Sequence, residues 1–394
     1  MMDYDKLLSR SAAALKPSGI RRFFDIAAEM DDVISLGVGE PDFKTPWEIR
    51  RAGIESLEKG HTFYTANAGL ITLRTEICNY LKRRFTLSYD PKTDVFATVG
   101  GSEAIDLCIR ATINPGEGEE VLIPEPCFVC YDPLTRMAGG VPVPIATRVE
   151  DDFRLTAAQL REHLTPKTKL LILPFPNNPT GAVMRRNHLE EIAEVLRGTD
   201  VLVLSDEIYA ELTYGSERHV SIAELDGMRE RTILVNGFSK AYAMTGWRLG
   251  YAAGPAPIIR QMIKLHQFAI MCSPTTSQYA AVEALKNCDE AIEAMRSEYD
   301  MRRRLVVDGF NRIGLSCFEP EGAFYVFPSI RSTGMTSNEF CMKLLEKERV
   351  AVVPGDALGA SGEGHVRVSY SYSIKHLLEA LKRIERFVKN LPSA

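Results

Sequence analysis

Between residues 94 and 254 the chain alternates short, continuously apolar runs with stretches whose apolar positions recur every three or four residues. The runs are 95–99, 120–123, 170–173, 201–204, 232–235 and 249–253, and amphipathic stretches such as 102–112 and 187–197 lie between several of them. Strands that are apolar throughout, rather than at every second position, indicate a sheet covered on both faces. The pattern therefore predicts an α/β fold with a largely parallel sheet. Residues 256–310 read as long helices charged on one face, and 311–394 mix short strands (323–327, 350–353, 365–369) with two helices (337–347, 374–389). We expect a large domain over 44–284. Residues 1–43 and 285–394 are expected to form a smaller α+β domain with an amino-terminal arm.

Polar residues collect where such a sheet binds ligands. Gly100-Gly101-Ser102 follows the first run and opens a helix, 174–181 follows the third, Asp206 the fourth and Ser239-Lys240 the fifth. In an open α/β sheet the ligand lies outside the carboxyl ends of the strands, so four segments should converge on one crevice.

Composition removes several classes of function. A net charge of −5 over 394 residues leaves no basic footprint for nucleic acid or an anionic membrane. Residues 1–6 carry no secretory pattern and no apolar run is long enough to span a bilayer, which points to the cytoplasm. The eight scattered cysteines fit reduced thiols. Cys127-Phe128-Val129-Cys130 has CxxC spacing, but without a second CxxC or a nearby His pair a redox or zinc role is the weaker reading. There is no HExxH, and no metal site is expected.

Lys240 is the residue most in need of a function. It ends an apolar strand among small residues, in the run Asn236-Gly237-Phe238-Ser239-Lys240-Ala241-Tyr242-Ala243-Met244-Thr245-Gly246-Trp247-Arg248. Keeping an ammonium dry is costly, so its pKa should fall and the amine become nucleophilic, as a Schiff-base lysine requires. The Gly100-Gly101-Ser102 turn is either an anion site at a helix amino terminus or simply a tight turn. It matches neither GxGxxG nor a P-loop, and Gly37-Val38-Gly39 is followed by Asp42 where a third glycine would be needed. Asp206, after a buried strand, is either a helix cap or the partner of a cationic group such as a pyridinium nitrogen.

Taken together these motifs resemble the class I aminotransferases of fold type I, which depend on pyridoxal 5′-phosphate (PLP). The resemblance runs essentially end to end. It is carried by Gly37-Val38-Gly39-Glu40-Pro41-Asp42-Phe43, Tyr64, Gly101-Ser102, Asn177-Asn178-Pro179-Thr180-Gly181 and Ser205-Asp206-Glu207-Ile208-Tyr209. Ser239-Lys240, Thr245-Gly246-Trp247-Arg248, Gly322-Ala323-Phe324-Tyr325 and Val366-Arg367-Val368-Ser369 complete it. It is greatest to bacterial branches that act on aromatic amino acids or N-acetyl-diaminopimelate.

The resemblance implies a role for each position. Lys240 would carry PLP and serve as general base and acid, and Asp206 would pair with the ring nitrogen. Asn178 and Tyr209 would bond the ring 3-oxygen, and Phe128 would stack on the ring. Gly101, Ser102, Ser239 and Arg248 would hold the phosphate, joined by Tyr64 from the partner subunit of a homodimer. Arg367 would grip the substrate α-carboxylate with the Gly39 backbone and Asn178. Position 237, a phosphate-binding serine in many aspartate-specific relatives, is glycine here. No arginine is identified for a second substrate carboxylate. The implied activity is ping-pong transfer of an amino group from an L-amino acid to a 2-oxo acid, with glutamate and 2-oxoglutarate as one pair. The alternatives are a PLP-dependent C–S β-lyase on the same fold, which would release pyruvate and ammonia from cystathionine without an oxo acid, and a non-catalytic regulator. Substrate side chains would be selected by loops and by the amino-terminal segment around Ile20.

Overall fold

The computed structural model describes residues 2, 4–15, 26 and 30–391, so Ile20 lies outside the described residues. Twelve strands are present among them: β1 (Ile34–Ser35), β2 (Val95–Thr98), β3 (Glu120–Glu125), β4 (Val141–Ala146), β5 (Thr168–Leu173), β6 (Leu202–Asp206), β7 (Thr232–Gly237), β8 (Gly250–Ala253), β9 (Tyr325–Val326), β10 (Val350–Ala351), β11 (Val353–Pro354) and β12 (Val366–Ser369). Seven form one sheet in the order β2-β8-β7-β6-β5-β3-β4. It is mostly parallel; β8 alone runs antiparallel to both its neighbours.

The apolar runs are continuous because successive residues serve different cores. Leu170 and Ile172 of β5 join Phe96, Val121 and Val235 under the helices Gly101–Thr112 and Ala256–Ala269. Leu171 and Leu173 face the other way, onto the helix Arg186–Leu196. Alternation along a strand sends odd and even residues to opposite faces, and helices cover both.

β4 was not anticipated. Its sequence, Val-Pro-Val-Pro-Ile-Ala, has two residues without an N–H and only one fully buried residue. Such a strand is tolerated at a sheet edge, where β4 lies. The expected strand 350–353 is instead two. β10 pairs parallel with β1, and after Val352 the chain changes partner to run antiparallel to β12 as β11. Helix Ile374–Lys389 has the predicted bounds, with the Ser373 side chain accepting the His376 N–H. It packs with helix Asp289–Ile313 and with Ile34 and Leu36 in one apolar cluster.

Candidate active site

β5, β6 and β7 all deliver their carboxyl ends to a cavity of about 560 Å³. Gly39, Gly101, Ser102, Phe128, Asn178, Asp206, Tyr209, Ser239, Lys240, Arg248 and Arg367 line it together. Tyr64 does not; it stands 82% exposed on the surface.

Lys240 leaves β7 through the tight segment after Gly237. Its Nζ donates to the Gly39 carbonyl at 2.6 Å and lies 5.8 Å and 5.7 Å from the ring centres of Tyr209 and Phe324. Desolvation, helped by the charge of Arg367 and opposed by Glu40, brings its pKa down to about 8. An ordinary lysine titrates near 10.4. The neutral, nucleophilic fraction therefore grows as pH rises through about 8. In cofactor-free protein the rate at which Lys240 adds to a simple aldehyde, read by borohydride trapping and peptide mapping, should level off above about pH 8.5. A rate still climbing at pH 10 would show a lysine of unperturbed acidity.

Asp206 ends β6 with its carboxylate buried. It accepts the Tyr131 hydroxyl at 2.7 Å and the Ile208 N–H at 3.2 Å. Burial pushes its pKa up, and the two hydrogen bonds oppose that shift. The Ile208 contact closes a turn, and no helix follows β6 before Ile222–Glu224, so the helix-cap reading of Asp206 is not borne out; its carboxylate lines the cavity.

At the other end of the cavity the helix Gly101–Thr112 starts without a side-chain cap, which leaves its first N–H groups free for an anion. Gly100 has φ +79°, and a Cβ there would lie 2.7 Å from Arg248 Nη2, so glycine is what lets the arginine close over the turn. Arg248 is fixed by donating from Nη1 to the Thr245 carbonyl at 2.9 Å. Ser102 and Ser239 add hydroxyls to the lining. The missing hydroxyl at position 237 has a packing cause: a Cβ there would lie 2.9 Å from Gly250 Cα of the neighbouring β8.

Arg367, on β12, is 5% exposed. It donates from Nη1 to Asn178 Oδ1 at 2.9 Å and from Nη2 to the Gly37 carbonyl at 2.7 Å, while Nε finds no partner among the described residues. None of these acceptors is a carboxylate. A buried guanidinium without a counter-ion is costly unless an anion joins it, so this corner of the cavity is built to receive one. The cavity thus offers a nucleophilic amine, a buried carboxylate and two cationic anion sites, a donor set that fits PLP together with a substrate carboxylate.

Sequence reasoning gave no role to two tyrosines. Tyr131 opens the helix Tyr131–Met137 three residues after Phe128, and their rings meet edge-on at 6.0 Å; that closeness in the chain was the available signal. Tyr325 sat within a recognised motif. Its hydroxyl meets that of Tyr209 at 2.9 Å, and its ring lies 4.7 Å from the Arg367 guanidinium.

The family described as Aminotransferase class I and II matches residues 31–384. A Bacillus subtilis protein named for aminotransferase activity, YugH, is 56% identical over 97% of this chain and 98% of its own length. An aspartate aminotransferase of Pyrococcus abyssi is 48% identical over 95% of this chain and 96% of its own. The crystal structure of an aromatic aminotransferase from Pyrococcus horikoshii superposes with a TM-score of 0.89 at 47% identity, covering 94% of this chain and 99% of that one.

Proposed function

This chain belongs to the class I and II aminotransferase family and is an aminotransferase, and on that premise we propose that it works through PLP held by Lys240, as a cytoplasmic homodimer. The observation that carries the reading is the lysine amine, its pKa drawn down to about 8, in one cavity with Asp206, Arg248 and Arg367. When bound, PLP supplies an aldehyde carbon to react with amines and a ring that draws electrons from the activated carbon.

The protein's own residues do the rest. The Lys240 amine would act as nucleophile and, once displaced, would take the proton from the substrate Cα at Nζ and deliver it to the former aldehyde carbon of the cofactor. Asp206 holds the proton on the ring nitrogen. Asn178, whose Oδ1 is engaged by Arg367, offers its Nδ2 to the ring oxygen beside the Tyr209 hydroxyl. Phe128 supports the ring face. Gly101, Ser102, Ser239 and Arg248 bind the phosphate, with Tyr64 of a second copy as a further ligand; its exposure, with that of Phe63, supports burial against another protomer. The fork of Arg367 binds the α-carboxylate beside the Gly39 backbone. Incubation with PLP, borohydride reduction and peptide mapping should place the label on Lys240. Label on another lysine, or no uptake, sinks this reading.

The relatives' names differ on substrate, one for aspartate and one for aromatic amino acids. Among the described residues the arginines lining the cavity are Arg248 and Arg367, and both have roles. Val38, Ile105, Val129 and Ile208 add apolar wall, and Glu40 adds a carboxylate that would repel a second acidic group. That favours an uncharged, aromatic donor, or N-acetyl-diaminopimelate, with glutamate and 2-oxoglutarate as the other pair. A donor panel decides it: aspartate preferred over phenylalanine and tyrosine would overturn the aromatic assignment.

Arg367→Lys should lower kcat/KM for every donor about ten- to 150-fold, the loss of one charge-assisted hydrogen bond of about 1.5–3 kcal/mol. A loss confined to one donor would place Arg367 at the side chain instead.

A further inference from the structure

Arg367 reaches both groups assigned to the ring oxygen, by different routes. It bonds Asn178 directly at 2.9 Å. It reaches Tyr209 through Tyr325, whose ring lies 4.7 Å from the guanidinium carbon and whose hydroxyl is 2.9 Å from that of Tyr209. We propose that Tyr325 is a positioning residue that carries the state of the carboxylate site to the Tyr209 hydroxyl, so that filling Arg367 is felt where the cofactor is held. The inference rests on the PLP reading given above.

Three observations support the link. A Tyr209 hydroxyl that donates to the cofactor ring must accept from Tyr325, and the Tyr325 hydroxyl is placed to donate. The space it occupies exists because residue 39 is glycine: any Cβ there would collide with the Tyr325 Oη. Burial raises the pKa of both phenols, while the positive charge of Arg367 opposes the rise in each. A carboxylate that neutralises Arg367 removes that opposition, which strengthens the hold of both hydroxyls on their protons. The charged groups facing the pair are Arg367, Asp206 and Lys240.

The test uses PLP-loaded enzyme and follows the pH titration of its visible absorbance with and without 3-phenylpropanoate, a carboxylate that has no amino group to transfer. In the parent protein the carboxylate should move the midpoint upward by about one pH unit. In Tyr325→Phe the shift should fall to roughly half, the direct field of Arg367 and the Asn178 route remaining. Tyr209→Phe should show the same reduction, and the double variant no more than either single one, as for two members of one chain. A full shift in Tyr325→Phe, additive losses in the double variant, or no shift in the parent protein overturns the proposal while leaving the PLP reading standing. A parent protein that develops no cofactor absorbance overturns both.

Discussion

Lys240→Ala is expected to lose turnover by about four orders of magnitude or more, while the protein still takes up PLP through the phosphate cradle. General acid–base catalysis alone contributes about 10²–10⁴-fold, and Lys240 also supplies the attacking amine. No neighbour can substitute. Lys240 is the only lysine among the described residues that line the cavity, and a guanidinium is not a proton-transfer base near neutral pH. Tyr209 is held protonated, its pKa raised chiefly by burial. Two measurements separate loss of chemistry from loss of fold: cofactor uptake by dialysis, and partial recovery of turnover with a small added amine such as ethylamine. A variant that keeps more than about 1% of the parent rate without added amine would contradict the role given to Lys240, because about 1% is the most that loss of acid–base catalysis alone would leave.

How far the sequence disclosed this site depends on what each residue's position rests on. The strands that deliver Asp206 and Lys240 are buried on both faces, so their apolar runs stand out in the chain, and the polar residue that ends each run stands at the crevice. β4 lacked that signal because its prolines and exposed residues belong to an edge. The run 350–353 looked like one strand because its apolar character continues through the point where the chain changes partner, and only tertiary pairing reveals the break. The same holds within the site. Local motifs marked Asn178, Asp206 and Arg367, whereas the contacts of Arg367 with Asn178 and Gly37 span 189 and 330 residues. Tyr131 and Tyr325 also find their partners over long range, Asp206 across 75 residues and Tyr209 across 116, which the sequence around each does not reveal. Gly237 reads in sequence as a missing hydroxyl, but in space it is where β7 and β8 come too close for any side chain.

Asp206→Asn should lower kcat/KM by about 30- to several thousand-fold, and the loss should fall mainly on kcat. The substitution preserves shape, and an asparagine Oδ1 can still accept the Ile208 N–H, so the turn after β6 has no reason to move. What it removes is the negative charge. In the cofactor-free state burial raises the Asp206 pKa, and among the described residues the Tyr131 hydroxyl, the Ile208 N–H and the field of Lys240 oppose it. A protonated ring nitrogen would be its missing counter-charge, and pairing should hold both groups ionised. Removing one partner of a buried, hydrogen-bonded charge pair costs about 2–5 kcal/mol. At about 1.4 kcal/mol per tenfold that gives the range stated. The charge of the ring nitrogen matters most when electrons leave the substrate Cα, so the loss should appear in the step where Lys240 removes the Cα proton. Substitution of deuterium at that position should slow the variant more than the parent. Turnover within about threefold of the parent, with no larger isotope effect, would mean that the ring nitrogen works without a charged partner, since one lost ionic hydrogen bond already exceeds that margin.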